Sequence, residues 1–278
     1  MKNFYLIANE QKQASDYHVQ EIMNYLISKD MNCSMLIRQN NQPCDVPQDT
    51  DCILVLGGDG TLLQVARETV HLNIPLLGIN LGTLGYMAEV EISNLYQALD
   101  ALIADQYFTE KRMMLKGVLC MGGELCEQTH ALNDIVITRQ GVLKVIVYEI
   151  YVNGIFLNRY VADGIIIATP TGSTGYNMSA GGPIVEPKAS LIVITPICPH
   201  TLNTRSIILA PDDEIEIRVL EGRDGKMQEM EVYFDGNQNE KVVTGDHITI
   251  SKSEKETIFI RLNEVSFLEV LNRKMSEN

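Results

Sequence analysis

Apolar positions along this chain recur with two different periods, and the change falls near residue 110. Before it, short apolar runs at 4–8, 33–37, 52–56 and 74–79 alternate with stretches at helical spacing. Val19, Ile22, Leu26 and Ile27 mark an amphipathic helix over 14–29. Leu62, Leu63, Ala66 and Val70 mark a second, ending near residue 70. A third is expected from Ser93, a suitable N-cap, to Ala104. Strand–helix alternation of this kind predicts a Rossmann-like, doubly wound parallel sheet.

From there to residue 262 the period is mostly two. Turn signals such as Met121-Gly122-Gly123, Asn153-Gly154, Asp235-Gly236-Asn237 and Thr244-Gly245-Asp246 punctuate it. That pattern predicts an all-β sandwich. Helical spacing returns only at 265–275. The expected organisation is an α/β domain over 1–108, a β-sandwich over 109–262 and a C-terminal helix over 263–278 that packs back on the first domain.

The apolar run at 52–56 leads straight into Gly57-Gly58-Asp59-Gly60-Thr61, and a helix opens at once. A strand that ends in glycines and turns into a helix brings backbone N–H groups up to phosphates. Bare glycines permit close approach, and the helix N-terminus adds partial positive charge. Asp59 is the odd member, because a carboxylate repels phosphate. It fits if it takes a proton from an attacking hydroxyl or holds Mg²⁺, so the loop points to phosphoryl transfer. The competing reading is a tight turn with Asp59 as helix N-cap. Neither the Gly-Lys-Ser/Thr ending of a P-loop nor G-x-G-x-x-G is present.

A second stretch, from Ala162-Asp163-Gly164 through Thr169-Pro170-Thr171-Gly172-Ser173-Thr174-Gly175-Tyr176-Asn177-Met178-Ser179 to Gly181-Gly182-Pro183, follows an apolar strand with hydroxyls and glycines. Such residues together form anion nests and read the polar edges of a sugar or base. Tyr176 is placed to lie flat on a base. A long glycine-rich turn is the structural alternative. A third stretch, Asn133-Asp134 before the strand at 135–137, offers two groups that pair with vicinal ribose hydroxyls, or plain turn chemistry.

Composition narrows the partners. The chain has 278 residues, 45% hydrophobic and 21% charged, enough for two cores. A net charge of −14 argues against nucleic acid or an anionic membrane as partner. Six scattered cysteines without a C-x-x-C pair, no secretory signal and no apolar run of membrane-spanning length predict a soluble, cytoplasmic protein with reduced thiols.

Taken in order, Gly57-Gly58-Asp59-Gly60-Thr61, Asn133-Asp134, Asp163-Gly164 and Thr169-Pro170-Thr171-Gly172-Ser173-Thr174 resemble the NAD kinase family, bacterial type, over roughly residues 51–237. The first motif alone is shared with diacylglycerol-type lipid kinases and 6-phosphofructokinases. The resemblance implies an N-terminal α/β domain, a C-terminal β-sandwich, an active site between them and a homodimer or homotetramer. It implies transfer of a phosphoryl group, from ATP or another donor, to the 2′-hydroxyl of the adenosine ribose of NAD, giving NADP. Asp59 would be the general base and Gly60 its loop partner, with Mg²⁺ at the donor phosphates and no direct protein ligand to the metal assigned. Asn133 and Asp134 would hold NAD hydroxyls, Asp163 would sit at the nicotinamide end, and Thr174, Gly175, Tyr176, Asn177, Met178 and Ser179 would line the nucleotide. Lys144 and Asn237 fall at family contact positions. Three residues depart from the pattern: Asp134 stands for a frequent Glu, Gly175 for Ala and Val161 for Arg, with Arg159 two residues earlier as a substitute charge. A lipid kinase would need an apolar acyl site, and a non-catalytic dinucleotide sensor would not need Asp59.

Overall fold

In the computed structural model of the chain, which describes residues 1–9, 14–38, 44–82, 85–126, 128–139, 141, 145–201, 205–263 and 266–276, two units form. One comprises Met1–Arg112 and Glu256–Asn278, the other Met113–Lys255.

The first unit alternates as its sequence pattern predicts. Its elements are β1 (Asn3–Asn9), α1 (Ala14–Ser28), β2 (Asn32–Arg38), β3 (Cys52–Leu56), α2 (Asp59–Thr69), β4 (Leu76–Asn80), β5 (Val90–Glu91) and α3 (Leu95–Ile103). The strands pair in parallel in the order β4-β3-β1-β2, with β5 added beside β4. Every residue of β3 and β4 is buried, which is why these strands read as unbroken apolar runs rather than alternating ones. Val19, Ile22 and Leu26 of α1 and Leu95, Leu99 and Leu102 of α3 pack on the face that carries Leu54, Leu77 and Ile79. Gly78 points the other way, and a Cβ there would meet Leu62 of α2 at 3.0 Å, so α2 covers the opposite face. The sheet is therefore doubly wound. Two details differ from expectation. Ile27 is 56% exposed, because it lies off the Val19–Ile22–Leu26 stripe. The third helix is capped by Asn94 after a 3₁₀ turn over Ile92–Asn94, not by Ser93, and without a side-chain hydrogen bond.

The second unit is built from β6 (Phe108–Met121), β7 (Glu124–Leu125), β8 (Thr129–Ala131), β9 (Asp134–Arg139), β10 (Ile146–Val152), β11 (Ile155–Ala162), β12 (Gly164–Ala168), the short helix α4 (Tyr176–Ser179), β13 (Ile192–Ile197), β14 (Ile207–Leu209), β15 (Ile215–Val219), β16 (Glu229–Phe234), β17 (Gln238–Val243) and β18 (His247–Arg261). The ends of β6 and β18 lie in the first unit. One antiparallel sheet runs β14-β13-β12-β9-β16-β17, and β11-β10-β15-β18 form the other, with β6 beside β18. Ile135, Ile167, Ile194 and Phe234 of the first sheet share a core with Tyr148, Ile217 and Ile250 of the second, which makes the unit a sandwich. The far face of the first sheet is covered too: Val136, Ile166, Ala168 and Val193 pack against Ala180, Val185 and Leu191. Burial on both faces explains the consecutive Ile165, Ile166 and Ile167.

After β18 the chain is again part of the first unit. Phe259 pairs in parallel with Leu76 of β4, and Arg261 holds Glu89 at 2.8 Å and Glu110 at 3.3 Å. The last helix, α5 (Phe267–Ser276), buries none of its residues.

Candidate active site

The glycine loop of the first unit is anchored at its start, where the Gly57 N–H donates to the Ile79 carbonyl at 2.9 Å. Gly58, in extended conformation, is the N-cap of α2, and Asp59 is its first helical residue. The capping role read for Asp59 is thus filled by Gly58. Asp59 instead reaches across to the second glycine-rich run. Its carboxylate accepts the N–H groups of Tyr86 at 2.9 Å, Met87 at 3.3 Å and Ala88 at 3.4 Å. Gly85 makes this possible: a Cβ there would lie 2.1 Å from one carboxylate oxygen and 2.3 Å from the other. Two carboxylate oxygens offer about four acceptor sites, and three are used, so one is left for a hydroxyl. A Cβ at Gly58, Gly60 or Gly82 would meet nothing within 4 Å. Packing does not demand glycine at these positions, and the bare main chain leaves room for close approach of an anion. Thr61 is half-buried beside Gly57.

In the second unit Asn133, Asp134 and Tyr176 come together. With Val136, Thr138, Tyr233, Asp235 and Gly236 they line a cavity of about 430 Å³. Tyr176 is 48% exposed, as a base-stacking ring has to be. The Asn133 Oδ1 atom is buried and has no hydrogen-bond partner among the described residues. Asp134 is 5% exposed; burial first, and the nearby Asp235 charge second, push its carboxyl up to about 7. The pH consequence has a definite sign. The native state keeps this proton up to about pH 7 while the unfolded chain loses it near 3.9, so the stability contributed is full below the lower value and disappears as pH rises through the upper one. Asp134→Asn is therefore expected to be neutral near pH 4 and stabilising by roughly 2–4 kcal/mol near pH 8, read from urea midpoints across that range.

The hydroxyl-rich loop divides into an inward and an outward part. Thr169 Oγ1 donates to the Leu132 carbonyl at 2.6 Å, and Ser173 Oγ bonds the carbonyl and N–H of Val185. Asn177 is fully buried: its Nδ2 donates to Ser173 and Pro183 carbonyls, and its Oδ1 accepts from Thr195 Oγ1 at 2.7 Å. These polar groups tie the loop to the sandwich. Asn177→Ala would take a donor from the Ser173 and Pro183 carbonyls and leave Thr195 Oγ1 with Ser206 Oγ alone, and is expected to cost about 2–3 kcal/mol in urea unfolding. Gly172 is fixed by contact as well, since a Cβ would lie 2.1 Å from the Asn133 carbonyl oxygen. The outward part comprises Tyr176, Met178 and Ser179, with Thr174 and Gly175 half-buried at the turn.

Other predicted positions are more scattered. Asp163, between β11 and β12, forms an ion pair with Arg139 at 3.3 Å. Val161 lies two residues before it, and Arg159 is held by Glu149 at 3.7 Å. Asn237 is exposed in the β16–β17 turn. Lys144 lies outside the described residues. Two residues escaped sequence reasoning. Arg139 gave no signal beyond ending a strand, and Asp235 read as turn chemistry before Gly236 although its carboxylate is buried among functional groups. Among the described residues no group of three or more His, Cys, Asp or Glu side chains could hold a metal ion, and no helix is long and apolar enough to cross a membrane.

Fold and loops together define a class: a parallel α/β unit with a phosphate-type glycine loop, joined to a β-sandwich unit with a polar, aromatic-walled cavity. Residues 7–107 match the ATP-NAD kinase N-terminal domain and residues 132–262 the ATP-NAD kinase C-terminal domain. The chain is 43% identical to an NAD kinase of Lachnospira eligens over 99% of its own length and all of that protein. It is 46% identical to one of Agathobacter rectalis over 99% of each. Among solved structures, yeast NADH kinase complexed with NADH superposes with a TM-score of 0.87 at 25% identity, covering 100% of this chain and 88% of the other. An NAD kinase from Archaeoglobus fulgidus in complex with ATP gives 0.80 at 26% identity, covering 98% and 99%. The chain belongs to the NAD kinase family, as its motifs suggested.

Proposed function

We propose that this protein transfers the terminal phosphoryl group of ATP to the 2′-hydroxyl of the adenosine ribose of NAD, giving NADP. The observation that carries the reading is the buried, unpartnered Asn133 Oδ1 beside Asp134, in a cavity walled by Tyr176. A buried acceptor without a donor is costly, and a ribose hydroxyl supplies one. Asn133 and Asp134 bind the ribose hydroxyls, Tyr176 stacks on a base, and Asp163, with its charge offset by Arg139, faces the nicotinamide end. Thr174, Gly175, Met178 and Ser179 border the nucleotide, and Asn177 holds that border in place from behind.

Phosphoryl transfer asks mainly for positioning and charge neutralisation. The N–H groups of Gly58 and Gly60 cradle the donor phosphates, while Gly57 and Thr61 spend theirs on the Ile79 and Gly58 carbonyls and fix the shape of the loop. Asp59 uses its remaining acceptor site to take the proton from the 2′-hydroxyl as the new P–O bond forms. ATP as donor is supported by the ATP complex of the Archaeoglobus fulgidus relative, and a nicotinamide dinucleotide as acceptor by the NADH complex of the yeast one. Three of the acceptor sites of Asp59 are already filled by N–H groups. Mg²⁺ accordingly belongs with the donor's phosphates and its own waters. A homodimer or homotetramer is part of the same reading, supported by the exposed Ile155 and Phe156 on edge strand β11. The free cysteines fit a cytoplasmic location.

Incubation of the purified protein with NAD, ATP and Mg²⁺ tests the proposal. NADP should accumulate with an equal amount of ADP. Tight NAD binding without turnover would point to a sensor, and phosphorylation of diacylglycerol instead of NAD would point to a lipid kinase.

A further inference from the structure

Asp235 organises the end of the cavity from which Asn133 and Asp134 project. Its carboxylate accepts the N–H groups of Leu132 at 2.9 Å, Asn133 at 2.7 Å and Asp134 at 3.3 Å. Its own N–H donates to the Asp134 carbonyl at 3.0 Å. One carboxylate gripping three consecutive N–H groups fixes the peptide planes on both sides of Asn133, and with them the directions in which both side chains leave the main chain. Asp235 is 7% exposed and sits at φ +52°, followed by Gly236 at +72°. Asp, Asn and Gly are the residues that tolerate this left-handed conformation. A hairpin alone does not need the Asp carboxylate buried against another strand's N–H groups, so turn chemistry does not account for it.

We propose that Asp235 is a positioning residue for the dinucleotide: it aims Asn133 and Asp134 at the ribose hydroxyls and holds a second carboxylate beside that of Asp134. The inference rests on the NAD kinase reading above. Burial, with the Asp235 charge acting in the same direction, pushes the Asp134 carboxyl up to about 7. The other titratable side chains lining the same cavity among the described residues are Tyr176 and Tyr233. The Tyr233 hydroxyl donates to Glu231 at 2.5 Å, and Arg139, at the end of β9, pairs with Asp163. An ionised Asp134 accepts from two hydroxyls at once, whereas a protonated one gives up acceptor capacity.

The test is the pH profile of KM for NAD in the wild type, Asp235→Asn, Asp235→Gly and Asp134→Asn. Wild-type KM should fall as pH rises through about 7. Both Asp235 variants keep the left-handed turn; each should raise KM at least about tenfold at every pH and move the inflection to lower pH by about half a unit or more. Asp134→Asn should flatten the profile. A purely structural role for Asp235 would raise KM and leave the inflection where it is; that result, or an inflection that persists in Asp134→Asn, overturns the inference. Absence of NADP formation by the wild type would instead remove the NAD kinase reading itself. If Asp235→Asn does not fold, the Asp235→Gly profile decides alone.

Discussion

Replacing Asp59 by Asn should lower the turnover of NAD to NADP at least about 10²-fold while NAD binding stays within a few-fold of the wild type. The amide is nearly the same size but cannot take up the proton that the 2′-hydroxyl must lose. The substitution also has a structural cost, because the side chain is a hydrogen-bond hub. Oδ1 accepts from Met87 and Ala88, and Oδ2 from Tyr86. An amide can keep the pair on its oxygen but turns a donor toward the Tyr86 N–H. About 1–3 kcal/mol of stability should be lost, visible as a lower urea midpoint. Turnover must therefore be compared at a temperature where both proteins are folded. Near-normal turnover in Asp59→Asn would remove it from the role of base.

The second large effect leaves Asp59 untouched. In Gly85→Ala the new Cβ needs the space that the Asp59 carboxylate fills, at 2.1–2.4 Å from its atoms. Either the carboxylate leaves its three N–H donors or the main chain at 85–88 moves away. In both cases the proposed base loses its aim, and misplacement on the order of 1 Å costs about 10²-fold in rate. Turnover should drop by roughly that factor, with KM for NAD little changed because Asn133, Asp134 and Tyr176 belong to the other unit. A Gly85→Ala protein of wild-type activity would mean that the held position of Asp59 has no part in the reaction.

Much of the fold was legible because the pattern in each segment reports its own burial. Strand β3 occupies the predicted 52–56, and α1 ends one residue short of the predicted end. The misses are places where two local solutions are equally good. Ser93 is as good a cap by type as Asn94, and a 3₁₀ turn over Ile92–Asn94 moves the helix start past it. Ile27 is apolar and in a helix, yet its position on the helical wheel leaves it outside the stripe that meets the sheet.

At the candidate site the sequence shows which chemical groups are available but not where they point. The glycine loop and Asn133-Asp134 are recognisable because their neighbours in sequence are also their neighbours in space. For the loop at 169–183, the density of hydroxyls reads as ligand chemistry. Thr169 and Ser173 spend their hydroxyls on Leu132 and Val185, and Asn177 its amide on Thr195, residues whose proximity only the fold creates. Asp235 is the converse case. Its sequence context is an ordinary Asp-Gly turn, and its partners lie just over a hundred positions away. Asp134 shows a third limit: a carboxylate before a strand has an ordinary acidity until burial and a second carboxylate raise it.

The central claim is that phosphate arrives on one hydroxyl of one ribose. Phosphorus NMR of the dinucleotide produced from NAD, ATP and Mg²⁺ tests it most directly. The account predicts a single new phosphomonoester, coupled to the 2′ proton of the adenosine ribose and equal in amount to the ADP formed. A phosphate on any other hydroxyl, or ADP released without a phosphorylated dinucleotide, would contradict it.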